Sequence, residues 1–404
     1  MKYDFTTVYD RRGKDSLAAD GPGTSPGYAP GACGPGFTPI PMWIADMNFA
    51  TFPGLVEALT RRSSYPIYGY FAPGDAYFDA ILRWQKERNG VEDLCREDIG
   101  YENSVLGGVV SCLKAVTQPG DGVLVHEPVY AGFLKCLKAN DRLPVLSPLI
   151  PDHGLMTMDY ADMEEKIRKH RLKVVILCNP HNPTGRAWTR EELRRAMTLF
   201  RKYDLTVIAD EIWSDLMLPG FHHVPVASVS EDARHRTASF YAPSKTFNLA
   251  GLIAAYHIIY SPELRQRVEE IGKATYYNRL NVLSMHALQG AYCKEGGDWV
   301  DQLRQQLRDN MQKMQSYLET VPGLRFPHPQ ATYMLFVDVK EYLRVHSLTL
   351  EELEDRLWSC GVMVQDGRRF HGMTHLRMNL ALPPKQLEKA IRRMKKYVFT
   401  DEKG

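Results

Sequence analysis

The chain has 404 residues, 44% of them apolar and 24% charged, with a formal net charge of +2. That is an ordinary globular composition, long enough for a large core and two domains. It excludes a collagen-like or disordered chain, and so small a net charge gives no electrostatic reason to expect nucleic acid or an anionic membrane surface.

Met1 to Phe5 is polar, without the apolar core of a signal peptide. No apolar stretch approaches the roughly 20 residues that a membrane helix requires. The seven cysteines (33, 95, 112, 136, 178, 293 and 360) are scattered, odd in number and form no CxxC pair. They predict reduced thiols and a cytoplasmic protein, not a disulfide framework or a zinc site. His371 and His375 could share a helix face, but Gly372 lies between them and no carboxylate stands nearby in sequence. No metal is expected there.

Between Ala18 and Pro41 half the residues are Gly or Pro. This segment is expected to be an irregular arm that holds neither a helix nor a central strand, either a plain surface loop or a lid. From about Arg61 to Gln289 helical and strand patterns alternate. Gly122 to His126 is a short apolar run ended by Glu127-Pro128. Val174 to Cys178, Leu205 to Ala209, Thr237 to Tyr241 and Leu252 to Tyr260 are nearly continuous apolar runs, which suit strands covered by helices on both faces. Thr189-Arg190-Glu191-Glu192 fits a capping box and opens a helix to about Tyr203. The expectation is an α/β sheet of mostly parallel strands with ligands at their carboxyl ends.

After a polar helical stretch from about Trp299 to Thr320 the pattern changes. Thr332 to Val339 and Leu376 to Leu382 read as strands, and helices open at Thr349 and Pro383. That describes a smaller α+β lobe. The predicted division is 1–60 as arm and part of the small domain, 61–290 as the large cofactor domain, and 291–404 as the C-terminal small domain.

Three strand ends carry the chemistry. Asn179-Pro180-His181-Asn182-Pro183-Thr184-Gly185 closes the first run, Asp210 the second, and Ser244-Lys245-Thr246 follows the third. Pyridoxal 5'-phosphate (PLP) needs these groups: an amine to form a Schiff base, a carboxylate to keep the ring nitrogen protonated, and an amide for the ring hydroxyl. Lys245, Asp210 and Asn182 are assigned to those roles. Each has a plainer reading: Lys245 as a surface lysine, Asp210 as a helix N-cap, Asn182 as an Asx-turn residue. Leu106-Gly107-Gly108-Val109 opens a helix, where free N–H groups could hold a phosphate.

The chain resembles the class I/II aminotransferase superfamily of fold-type I PLP enzymes, within it the cystathionine β-lyase (C–S lyase) branch. The likeness rests on Pro41-Met42-Trp43-Ile44-Ala45-Asp46-Met47, Tyr68-Gly69-Tyr70, Glu127-Pro128-Val129-Tyr130, Ser244-Lys245-Thr246-Phe247-Asn248 and Leu376-Arg377-Met378-Asn379-Leu380. It implies a large domain with a mostly parallel seven-stranded sheet, a smaller α+β domain and a homodimer with a shared active site. By the same resemblance Tyr130 stacks on the cofactor ring and Arg377 takes the substrate α-carboxylate as a bidentate pair. Ser244 donates to the phosphate, and Tyr70 reaches the phosphate of a neighbouring subunit. Three positions depart from the pattern. Trp213 stands where a tyrosine, or in similar C–S lyases a histidine, meets the ring oxygen. Ala242 replaces a hydroxyl, and Ile253 replaces a phosphate-binding arginine.

The resemblance implies β-elimination from cystathionine or other cysteine conjugates, releasing a thiol, pyruvate and ammonia. Two rivals stay open. An aminotransferase shares the fold and cofactor residues, and a regulatory or binding protein on the same scaffold would work through its surface.

Overall fold

The structure, a computed structural model, describes residues 1–25, 27–252 and 254–400. Its strands are β1 (Ile40–Pro41), β2 (Ile99–Glu102), β3 (Gly122–Glu127), β4 (Leu143–Asp152), β5 (Leu155–Met158), β6 (Val174–Cys178), β7 (Thr206–Asp210), β8 (Thr237–Tyr241), β9 (Ala255–Ile258), β10 (Met334–Asp338), β11 (Val362–Met363), β12 (Gln365–Asp366) and β13 (His375–Asn379). The main sheet has the order β2-β9-β8-β7-β6-β3-β4-β5. Strands β8, β7, β6, β3 and β4 run parallel, while β9 runs antiparallel to both of its neighbours and β5 antiparallel to β4.

The sheet therefore has eight strands where seven are expected. The additional strand comes from β4 turning back at His153-Gly154, both with positive φ, into β5. Pro144, Pro148 and Pro151 disguise β4 in the sequence. They are tolerated because residues 143–148 pair with β3 and residues 149–152 with β5, so each half has only one strand neighbour in the ladder.

Continuous apolar runs are explained by burial on both faces. Val123, Val125, Val174, Ile176 and Ile208 point into one core, against helices Val105–Val116 and Ala131–Ala139. Leu124, Val175, Leu177, Val207 and Ala209 point into the other, against Tyr160–His170 and Arg190–Lys202. This period-two alternation between two cores is what sheet geometry demands. The Thr189 capping box closes as expected: its hydroxyl accepts from Glu192 N–H, and Glu192 reaches back to the Thr189 N–H.

A second sheet, β10-β13-β12, is antiparallel. Arg377 lies in its central strand, opposite Phe336 on one side and Gln365 on the other. Strand β1 pairs in parallel with β11, so the N-terminal segment is stitched to the C-terminal part. The Gly/Pro-rich arm differs from expectation at its start, where a short helix forms, and among its described residues holds no central strand. Its first residues belong to a short helix, Leu17–Asp20, which stops as Gly21 and Pro22 begin; its last two form β1. Between them the arm folds back on Trp43, whose indole N–H donates to the Ala18 carbonyl at 3.0 Å.

Candidate active site

The register of the central strands brings three turns to one edge. Cys178 pairs with Asp210, and Asp210 with Phe240. The loops leaving β6, β7 and β8 therefore open side by side at the strands' carboxyl ends, the place where α/β sheets bind ligands. A cavity of about 210 Å³ lies there, and Lys245, Asp210, Asn182, Tyr130, Trp213 and Ser244 all line it.

Lys245 is held by its loop and by a distant segment. Asn248 sits at φ +56°, a left-handed conformation that Asn accepts more readily than most residues. From there its side-chain oxygen accepts from Met47 N–H at 2.9 Å, and its amide donates to the Met47 carbonyl, also at 2.9 Å. The clip brings residues 45–47 over the lysine, whose Nζ donates to the Ala45 carbonyl at 2.8 Å. Burial, and then the charge of Arg377, bring the ammonium down to about 8, against the pull of Asp46 and Asp210. An amine with that affinity for protons is a usable nucleophile and base near neutrality.

Asp210 is 4% exposed and accepts from Ile212 N–H at 3.2 Å. Burial pushes its carboxyl up to about 7. A buried carboxylate with so few donors calls for a cation, and a protonated pyridine nitrogen is one. Asn182, also buried, accepts at Oδ1 from Arg377 Nη1 at 3.2 Å, which turns its NH2 group away as a donor. Arg377 is 3% exposed and further held by the Trp43 carbonyl at 3.0 Å and by Gln365 Oε1. Its Nε has no partner, and burial draws its pKa down to about 10. An orphaned guanidinium nitrogen of this kind suits a carboxylate ligand. The donor set fits PLP and an amino-acid substrate.

Tyr130 caps the helix Ala131–Ala139 from outside. Gly132 leaves room for its ring: a Cβ there would stand 2.4 Å from a Tyr130 ring carbon. Trp213 is buried, edge-on to Tyr333 with centroids 4.8 Å apart, and Lys245 Nζ lies 5.8 Å from its ring. Trp213 thus narrows the cavity beside the lysine.

The helix start that lines the cavity lies just upstream of the two glycines. The cavity is lined by Asn103, Ser104, Val105 and Leu106, not by Gly107, Gly108 or Val109. Gly107 N–H is taken by the N-cap hydroxyl of Ser104 at 3.0 Å, Gly108 is pressed against Phe240, and Val109 is fully buried. The glycines serve close packing; a Cβ on Gly107 would strike the Tyr277 hydroxyl. Ser104 was legible as an N-cap three residues before Gly107. Tyr70 does not line the cavity of its own chain and is fully exposed. Ala242 is buried, and Ile253 lies outside the described residues.

His371 has a carboxylate neighbour after all, since Glu127, 244 positions earlier, lies 2.9 Å from its Nδ1. His375 stacks on Phe336 instead. Among the described residues no three His, Cys, Asp or Glu converge as a metal site, and no helix is long and apolar enough to cross a membrane.

Fold and cavity together define an enzyme of the α/β class with an activated amine over a buried acid. Residues 48–394 match the model of the aminotransferase class I and II family, and the chain belongs to that family. It is 34% identical over 360 residues to a protein of Bacillus subtilis named cystathionine beta-lyase PatB, covering 88% of this chain and 92% of that one. A PLP-bound putative aminotransferase from Clostridium difficile superposes with a TM-score of 0.89 at 32% identity, over 97% of this chain and 99% of that one. A PLP-bound C-S lyase from Staphylococcus hominis gives 0.88 at 29%, over 98% and 97%.

Proposed function

We propose that the protein is a PLP-dependent carbon–sulfur β-lyase that cleaves cystathionine or related cysteine conjugates to a thiol, pyruvate and ammonia. The observation that carries this reading is the convergence of Lys245, Asp210 and Asn182 in one cavity, in a chain that is 34% identical to a cystathionine beta-lyase over most of its length. When bound, the cofactor supplies an electron sink for the substrate Cα. The protein's part is positional and acid–base. Lys245 Nζ would hold the cofactor and would serve as the base for the substrate Cα proton. Asp210 would keep the ring nitrogen protonated, and Asn182 would donate to the ring oxygen. Arg377 would take the substrate α-carboxylate and so orient the Cα proton for Lys245. Tyr130 would cover the ring, and Ser104 and Ser244 would hold the phosphate.

The same reading includes a homodimer in which Tyr70 of one protomer completes the phosphate site of the other. It takes 1–60 as the arm and part of the small domain, 61–290 as the cofactor domain and 291–404 as the C-terminal small domain. Seven free thiols accord with a reducing cytoplasm. The deciding experiment is incubation with cystathionine and no keto acid. Steady pyruvate release is expected; arrest after one half-turnover would make the protein an aminotransferase. Survival of its function in Lys245→Ala would point instead to a regulatory role.

A further inference from the structure

A second cationic group adjoins the α-carboxylate site and has no assigned task. The Arg377 guanidinium lies 4.2 Å from the centroid of Phe370, and its Nη2 bonds the Trp43 carbonyl. The Trp43 ring in turn meets Tyr28 of the arm edge-on, centroids 5.7 Å apart. Over the Tyr28 ring stand Arg369, at 4.7 Å, and Lys135, at 5.5 Å. Arg369 also donates to the Gly27 carbonyl.

These cations lack counter-ions. Among the described residues no ion pair includes Arg369, Arg377 or Lys135. The nearby acids are engaged elsewhere: Glu351, Glu354 and Asp366 by Arg368, and Glu127 by His371. The Nε atoms of both Arg369 and Arg377 are buried without a partner. Arg369 and Tyr28 also act electrostatically on Arg377, which puts the two guanidinium groups within each other's field. Two adjacent, unpaired, partly desolvated guanidinium groups are costly unless an anion joins them. The α-carboxylate of a substrate satisfies one and leaves the other unsatisfied.

We propose that Arg369, with Tyr28 and Lys135, forms a second anion subsite that selects cysteine conjugates whose sulfur substituent ends in a carboxylate. This rests on the lyase reading and narrows its substrate class. Tyr28 positions Arg369 through its ring, and Lys135, over the same ring, adds long-range attraction. A neutral alkyl conjugate gains nothing from the patch.

The test compares S-(2-carboxyethyl)-L-cysteine with its uncharged counterpart S-propyl-L-cysteine on the PLP-loaded enzyme. The wild type should favour the carboxylated conjugate in kcat/KM. Arg369→Gln should lower that value by about ten- to a hundredfold, the worth of a charge-assisted hydrogen bond, and leave the propyl conjugate unchanged. Arg369→Lys should recover part of the loss. An equal fall for both conjugates would reduce Arg369 to a staple for the arm and overturn the proposal, as would a wild type without preference. Equilibrium affinity for the two conjugates, read from the visible absorbance of the bound cofactor, separates this from failure of the lyase reading. Tighter binding of the carboxylated compound that Arg369→Gln abolishes would uphold the subsite even if neither compound released pyruvate.

Discussion

Two buried groups in the cavity pull in opposite directions with pH. Asp210 rises from 3.8 to about 7, so the folded apoprotein binds more protons there than the unfolded chain between those values. Its contribution to stability is present at low pH and is lost as pH climbs through that window. Lys245 falls from 10.5 to about 8, so its contribution grows between 8 and 10.5 and is lost as pH drops through about 8. The apoprotein is therefore least helped by this pair between about 7 and 8, where both are charged and buried. Asp210→Asn should leave apoprotein melting unchanged near pH 4 and raise it at pH 7.5, as differential scanning calorimetry would record. The same variant should lose activity, since stability given up at a site is often what the chemistry uses. Lys245→Ala should eliminate the visible-range absorbance formed with PLP and lower turnover by roughly 10² to 10⁴ or more, the usual worth of a positioned base. Arg377→Lys keeps the charge but not the fork, so it should raise KM by about ten- to a hundredfold with a smaller effect on kcat.

At the scale of elements, the site depends on where strands stop. Ile176 is 1% exposed in β6, two strands from β8, which leads into the lysine loop, and three residues before Asn179. Ile176→Ala should cost about 2–5 kcal/mol, measurable by urea unfolding, without changing the visible spectrum of the holoprotein. Strands such as β6 and β8 are legible residue for residue because burial on both faces leaves no polar position to blur the pattern. Strand β4 is not legible, because its three prolines argue against a central strand and only the divided pairing shows why they are harmless. Lys245, Asp210, Asn182 and Arg377 can be read from sequence because the chain places each beside a strand end or within an apolar alternation. The Ala45 carbonyl, the Asn248 clip and the Glu127–His371 pair leave no such mark. They join residues roughly 200 or more positions apart, and spacing carries no record of contacts made only by the fold.

At the scale of the whole molecule, one exposed segment bears on the proposed homodimer. Tyr65, Ile67, Tyr68 and Tyr70 are each more than half exposed, and Tyr70 is entirely so. Four large apolar side chains within six positions form a patch of the kind that marks an interaction surface. The segment follows the helix Pro53–Ser63, which packs on Val282–Ala291 in the main core, so it projects from a firm base. If this face is the dimer interface, cofactor retention and assembly are coupled through Tyr70. Sedimentation velocity should show a dimer. Tyr70→Phe should preserve the dimer and weaken PLP retention by about tenfold, the lower end for a hydrogen bond to a charged group. Ile67→Lys should dissociate the dimer, and with it most of the bound PLP, while leaving the far-ultraviolet circular dichroism of the fold intact. A monomer that keeps both its PLP and its activity would show that each cavity is complete in one chain, and Tyr70 would then have no part in the site.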